Sequence, residues 1–205
     1  MSAPVPGSIL GLFAHPDDAE LWCGATLAHH AAHATVTVAV PHRDAERDAE
    51  AVVGAAILGT ELRQLPALDA TAVYDLLMQI RPEIVITHPV NDVHPEHRSV
   101  AAAVLAALPE PVIVTGFPRK VFTCDTYNSL TLDGPVRADT IIDATATFPA
   151  KMQALYAHAS QPITSHFGPM AENLGKLWGA RIGTAYAEAF TAVPILGRLP
   201  AATHL

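Results

Sequence analysis

Apolar positions in this chain come in short blocks rather than at single alternating steps. Ile9 to Phe13 and Ile84 to Thr87 are apolar runs closed by HPDD and HPVND, and Thr35 to Val40 (TVTVAV) is a β-branched run closed by Pro41. Runs without strict alternation suit strands buried on both faces, as in a parallel sheet. Helical spacing predicts helices over Glu20 to Ala32, Asp44 to Leu58, Thr71 to Ile80 and Arg98 to Ala107. Leu58-Gly59 reads as a helix end with glycine just beyond it, and Arg81-Pro82 stops the next helix. Further on, Val112 to Thr115, Val121 to Cys124 and Thr140 to Ile142 read as strands, and Phe148 to Ala159 as a long helix. This alternation predicts an α/β sandwich with a mostly parallel central sheet. Ligands in such sheets bind beyond the carboxyl ends of strands, where His15 and His88 fall.

The 205 residues are half apolar, with no fixed-period repeat and no linker-like stretch, so a single domain over 1–205 is expected. Net charge is -8 with only 12 lysines and arginines, scattered, which leaves no phosphate-tracking stripe and excludes nucleic acid as the expected partner. The longest apolar stretch, Val100 to Pro109, is too short to span a bilayer, and MSAPVPGS lacks the basic start of a signal peptide. A soluble, cytoplasmic protein is expected. Cys23 and Cys124 stand alone and read as buried thiols.

Histidine, at 11 residues, changes the picture, because several cluster where a metal would want them. His15 and Asp18 form an H-x-x-D pair on the turn leaving the first strand, an imidazole nitrogen and a carboxylate oxygen suited to zinc. A catalytic zinc needs a third ligand and an open position, and the third ligand should come from another strand end. THPVNDVHPEHRSV follows the third clear strand and brings His88, His94 and His97. His94 and His97 straddle Pro-Glu where a helix starts, so both can face one cavity without both touching a metal. If Asp18 holds the ion, Asp17 is free to take a proton from water on it, and the cation offsets the repulsion between adjacent carboxylates. The plainer alternative is a capped helix start with two loop histidines.

AHPDDAELWCGATLA and HPEHR resemble the two motifs of the LmbE/PIG-L-like de-N-acetylases. Fainter echoes are RDAEAVVGAAILGT, DTYNS, KMQALYAHASQ and GTAYAEAF, so the resemblance covers most of the chain. It implies a Rossmann-like three-layer sandwich and one zinc ion per chain, or another divalent ion, held by His15, Asp18 and His97. It further implies Asp17 as general base and His94 as the group that steadies or protonates the tetrahedral intermediate. Arg47 falls in the family's R-x-x-E helix, where an arginine often faces the site, and is read with His158 as substrate-binding. The chain departs from the family at Trp22 and Ala25, where glycine is common, and in its second loop, cut to PHRDAER. Asp92 and Val93 replace a tyrosine that some members carry as an oxyanion donor.

The implied reaction removes an acyl group, most simply acetyl, from the nitrogen of a small substrate. Candidates are an N-acetylated amino sugar or its conjugate, a thiol-cofactor precursor or an antibiotic intermediate. Alternatives are an amidase of a larger amide such as a cysteine S-conjugate, and a metal-binding module without catalysis. His88 reads as ordering its loop, and His29, His30 and His33 as a solvated helix end. Trp22 and Trp178 read as packing residues. The shortened loop and the apolar segment FTAVPILGRLPA suggest surface covered in a homo-oligomer.

Overall fold

The computed structural model describes residues 7–200. Most of MSAPVPGS, read above as lacking a leader, lies outside them, as does the last residue of FTAVPILGRLPA. The elements run β1 (Ile9–Leu12), α1 (Asp18–Ala31), β2 (Val36–Pro41), α2 (Ala45–Leu58), β3 (Glu61–Leu65), α3 (Ala70–Ile80), β4 (Ile84–Thr87), α4 (Pro95–Ala107), α5 (Pro109–Thr115) and β5 (Lys120–Thr123). A small hairpin, β6 (Leu130–Thr131) and β7 (Gly134–Pro135), precedes β8 (Thr140–Asp143), α6 (Phe148–Tyr156), α7 (Gly168–Ile182) and β9 (Ala187–Ala192).

The main sheet has the strand order β3-β2-β1-β4-β5-β9-β8, with β1 to β5 parallel and β9 and β8 antiparallel to their neighbours. Helices cover both faces, which makes the three-layer sandwich. On one side Val36, Val38, Val40 and Ile86 meet Leu21, Trp22 and Leu27 of α1, Leu155 of α6 and Met170 of α7. On the other, Leu10, Leu12, Val85 and Val121 meet Val73, Leu76 and Leu77 of α3 and Val100 and Val104 of α4. Strand order reverses between β1 and β4, which opens a crevice at their carboxyl ends. Asp44 and Asp69 cap α2 and α3 by accepting from Arg47 N and Ala72 N, and α2 ends on Gly59 in the left-handed conformation at φ 72.

Four features differ from the sequence reading. Val112 to Thr115 is helix, not strand: Leu108 keeps helical angles, Pro109 and Pro111 suit the first turn of α5, and the run ends on Gly116 at φ 77. Ile113 and Val114 are exposed, so the β-branched triplet packs in no sheet. As a result α4 and α5 form one 21-residue helical stretch, Pro95–Thr115, long and apolar enough by length and composition to cross a membrane. In the fold its inner face packs on α3 and the sheet, and it carries Glu96, His97, Arg98 and Glu110. β3 is a polar edge strand with Glu61 and Arg63 in it, so no apolar run announces it. α7 and β9 were likewise unmarked, and β9 inserts between β5 and β8.

Helix α1 is broken at Cys23, whose angles (φ -146, ψ 19) leave the helical region. The freed amides of Ala25 and Thr26 donate to the Glu188 carboxylate at 3.1 and 2.7 Å, so a strand residue caps the second half of the helix. Lys151 Nζ joins the same carboxylate at 2.6 Å in a buried ion pair. KMQALYAHASQ and GTAYAEAF thus meet on α1, and both cysteines are buried free thiols.

Candidate metal centre

His15 and Asp18 sit on the turn from β1 into α1, and His97 on the first turn of α4, so the crevice between β1 and β4 gathers all three. Asp18 folds back on its own turn, its Oδ2 accepting from His15 N at 2.7 Å. His15 Nδ1 stands 3.0 Å from Asp18 Oδ2, His97 Nε2 is 3.3 Å from Asp18 Oδ1, and His97 Nε2 is 3.2 Å from His15 Nδ1. Ligand atoms about 2.1 Å from a tetrahedral divalent ion stand about 3.4 Å from one another, so these donors fit one ion. His15 keeps some solvent exposure, whereas Asp18 and His97 are buried.

Each histidine is oriented by a carboxylate on its other nitrogen, as metal-binding imidazoles generally are. His97 Nδ1 faces Asp92 Oδ2 at 3.1 Å, and His15 Nε2 faces Glu96 Oε2 at 3.2 Å. Asp92 is fixed by the His94 amide at 2.7 Å, and Glu96 by Arg43, whose Nη2 also donates to Ala14 O at 3.1 Å. The Trp22 indole N–H donates to Asp18 Oδ1 at 3.1 Å, so this tryptophan does more than pack. Sequence reasoning missed Asp92, Glu96 and Arg43 as partners. The available signal was their spacing, one and five residues before His97 for the two acids.

The remaining histidines divide by which nitrogen is already engaged. His88, fully buried, accepts from Ala14 N at 3.0 Å on Nε2 and stacks on His97 with ring centroids 3.8 Å apart, so it orders the turn and the ligand. Its Nε2 also lies 3.2 Å from Asp18 Oδ2, and Asp18, His88 and His97 form a second close donor group. The amide of Ala14 occupies the His88 lone pair, which disfavours it as a ligand. His94 caps α4, its Nδ1 accepting from Glu96 N at 3.3 Å. The His94 ring lies 4.7 Å from that of His97 and 4.9 Å from that of His15, and the three residues offer donors within 4.8 Å of one another. With Nδ1 accepting, neutral His94 carries its proton on Nε2. His29 and His33 are exposed at the end of α1.

Asp17 stands at the N-cap of α1, yet its side chain caps nothing. It accepts instead from Arg47 Nη2 at 2.9 Å. Arg47 therefore comes to the site, but in this arrangement it grips the neighbouring carboxylate. His158 is fully buried, 3.7 Å from Glu20 Oε2, with no face open to a ligand. Gly54 leaves room for that pair, since a Cβ there would stand 2.4 Å from Glu20 Oε1.

Electrostatics follow from burial and proximity. Burial alone would raise the Asp18 carboxyl, but His97, His88 and His15 around it hold it well below the usual range. Burial would lower His97, but Asp18 and Asp92 outweigh it and push the imidazole up to about 9. Burial, with His97 and His15 nearby, holds His94 below the usual histidine range, which favours the neutral imidazole. Partial burial and the carboxylates of Asp18, Asp17 and Asp92 raise the Tyr127 phenol and keep it protonated.

Fold and side chains together define a three-layer α/β domain with a histidine–carboxylate centre at its topological switch point. No protein-family model matches the chain. Among solved structures it is similar to GalB, the 4-carboxy-2-hydroxymuconate hydratase from Pseudomonas putida KT2440, with TM-score 0.77 and 18% identity over 98% of this chain and 99% of that one. It is similar to N,N'-diacetylchitobiose deacetylase from Pyrococcus horikoshii, with TM-score 0.72 and 20% identity over 92% of this chain and 84% of that one. It is also similar to a deacetylase triple mutant involved in teicoplanin biosynthesis, with TM-score 0.66 and 19% identity over 91% of this chain and 98% of that one. The resemblance to LmbE/PIG-L-type de-N-acetylases is borne out at the level of the fold, which this chain shares with two deacetylases and a hydratase.

Proposed function

We propose that this protein is a zinc-dependent hydrolase that removes an N-acetyl group from a small substrate, most simply an N-acetylated amino sugar or its conjugate. The observation that carries the reading is that His15 Nδ1 and His97 Nε2 stand 3.2 Å apart, with Asp18 Oδ2 3.0 Å from the first and Asp18 Oδ1 3.3 Å from the second, beside a carboxylate that caps nothing. His15, Asp18 and His97 would hold the ion. A divalent ion held by them would polarise an amide carbonyl and bring the pKa of a water toward about 7.

The chain's own residues supply the proton chemistry. The Asp17 carboxylate, steadied by Arg47, takes a proton from the attacking water as the new C–O bond forms. His94, through Nε2–H, donates to the carbonyl oxygen as negative charge develops there. As the C–N bond breaks, the carboxylic acid of Asp17 returns its proton to the leaving nitrogen, which gives acetate and a free amine. Arg47 acts on Asp17 in this scheme, and His158 supports the packing of α1 and α2 around it.

The decisive experiment incubates the zinc-loaded protein with a panel of N-acetylated sugars and reads free amine. Amine release that disappears on chelation and returns with zinc supports the proposal. The likeness to a hydratase favours one second reading, in which the same base adds water across a carbon–carbon double bond of an unsaturated acid. Loss of alkene absorbance with such acids, and no amine from the sugars, would select it.

A further inference from the structure

One aromatic residue at the centre has so far no task. Tyr127 opens a single 3-10 turn, Tyr127–Ser129, that follows β5 and reaches over the crevice. Its ring lies nearly parallel to the His97 imidazole, with centroids 5.7 Å apart and planes at 12°. Trp22 meets it edge-on at 5.0 Å, His94 is 6.4 Å away, and Phe167 of the π-helical turn Ile163–Phe167 closes its outer side at 6.1 Å. Four side chains from three segments thus surround the ring, and two of them, His94 and His97, belong to the start of α4 at the centre itself.

The hydroxyl is a different matter. Among the described residues it makes no hydrogen bond, and it is not among the buried polar atoms that lack partners, in keeping with the half-buried state of the residue. The turn that carries it holds uncommon backbone angles. Asn128 and Ser129, neither of them glycine, both take left-handed angles at φ 51 and φ 58. The turn is tied down so that this strain persists: Asp125 accepts from the buried Trp178 indole at 2.6 Å and from Thr126 N at 2.8 Å, and Ser129 O accepts from Val136 N at 2.9 Å. A ring needed only for packing requires no strained turn and no free hydroxyl.

We propose that Tyr127 is a substrate-binding residue of this centre, its phenol donating a hydrogen bond to a negatively charged oxygen of the molecule held at His15, Asp18 and His97. The ligand class is a carboxylate, or an amide oxygen as charge builds on it. The inference rests on the reading of that cluster as a metal centre, and it applies equally to a deacetylase releasing acetate and to a hydratase holding an unsaturated acid.

The test uses the full chain loaded with cobalt(II) and titrated with acetate, followed by the visible absorption of the ion. Wild-type protein should show a saturable change, and Tyr127→Phe should weaken acetate by about tenfold or more, the cost of a lost hydrogen bond to a charged group. Cobalt content and thermal midpoint should stay at wild-type values, because the hydroxyl has no protein partner to lose. Equal acetate affinity in the two proteins overturns the proposal. So does a wild-type centre that gives no acetate response, or a Tyr127→Phe protein that loses thermal stability while binding acetate normally. Amine release is scored separately: its absence with the acetate effect intact counts against the deacetylase reading alone, and its presence with no effect of Tyr127→Phe on acetate counts against this one alone.

Discussion

Arg47 Nη2 donates to Asp17 Oδ1 at 2.9 Å, across the gap between the second and first helices. In the proposed reaction this contact would aim the Asp17 carboxylate, a role that a substrate anchor would not have. Arg47→Met should lower kcat by about tenfold to a hundredfold and leave KM nearly unchanged, since what is lost acts after binding. A rise in KM at constant kcat would return Arg47 to the substrate.

The two adjacent aspartates should respond in opposite ways. Asp17→Asn keeps the ligand set and removes the base, so metal should stay while turnover falls by about 10² to 10⁴. Asp18→Asn neutralises a ligand, so the metal should leave first, and excess zinc should recover part of the activity. Metal analysis of both proteins beside their rates decides it, and the reverse pattern would mean the roles are exchanged.

Trp22 provides a subtler variant of the same test. Its indole is the hydrogen-bond donor on Asp18 Oδ1, so Trp22→Phe keeps most of the packing and frees that oxygen. Metal affinity should fall by about tenfold to a hundredfold, the usual effect of losing a partner behind a ligand. Competition with a chromophoric chelator measures it directly.

Metal uptake should also depend on pH, with a sign set by His97. In the metal-free fold this imidazole is raised to about 9 by Asp18 and Asp92, so the protonated form stabilises the fold fully below about pH 6.5 and that contribution fades as pH rises through about 9. An ion must displace the same proton. Apparent metal affinity should therefore climb between about pH 6.5 and 9 by about tenfold per unit from this group and flatten above, with proton release seen by calorimetry in buffers of different ionisation enthalpy. Affinity that falls over this range would contradict the assignment of His97.

Legibility in the sequence followed the strength of local signals. Ile84 to Thr87 was readable to the residue because a fully apolar run ends at a histidine, and H-x-x-D with H-x-x-H marked both walls of the crevice. Val112 to Thr115 misled because β-branched residues favour strands in general, while the outcome here depended on Leu108 staying helical ahead of Pro109. Glu61 to Leu65 carries charges on an edge strand and so offers no apolar run. Asp92 and Glu96 were invisible as orienting groups, because their role lies in which imidazole nitrogen each one faces, and that is a matter of three-dimensional placement. Tyr127 escaped for a related reason: its position depends on a strained turn that two non-glycine residues do not announce.

Glu188, in the GTAYAEAF segment, has a place in the fold that leads to a strong stability prediction. Its carboxylate takes two backbone amides at the Cys23 break and the Lys151 ammonium, all in a buried setting. Lys151→Met would leave a carboxylate with its amide partners but without its counter-charge, and breaking a buried pair from one side typically costs about 3–5 kcal/mol. Glu188→Gln keeps one acceptor oxygen for the amides yet strands the ammonium, so a loss of similar size is expected. Replacing both at once removes the stranded charge but still leaves the Ala25 and Thr26 amides to share one acceptor oxygen in place of two. The double variant should therefore recover only part of the loss, which distinguishes a capping role from a simple ion pair. Urea unfolding of the three proteins at pH 7 provides the cycle, and full recovery in the double variant would show that a single neutral oxygen caps the two amides as well as the carboxylate does.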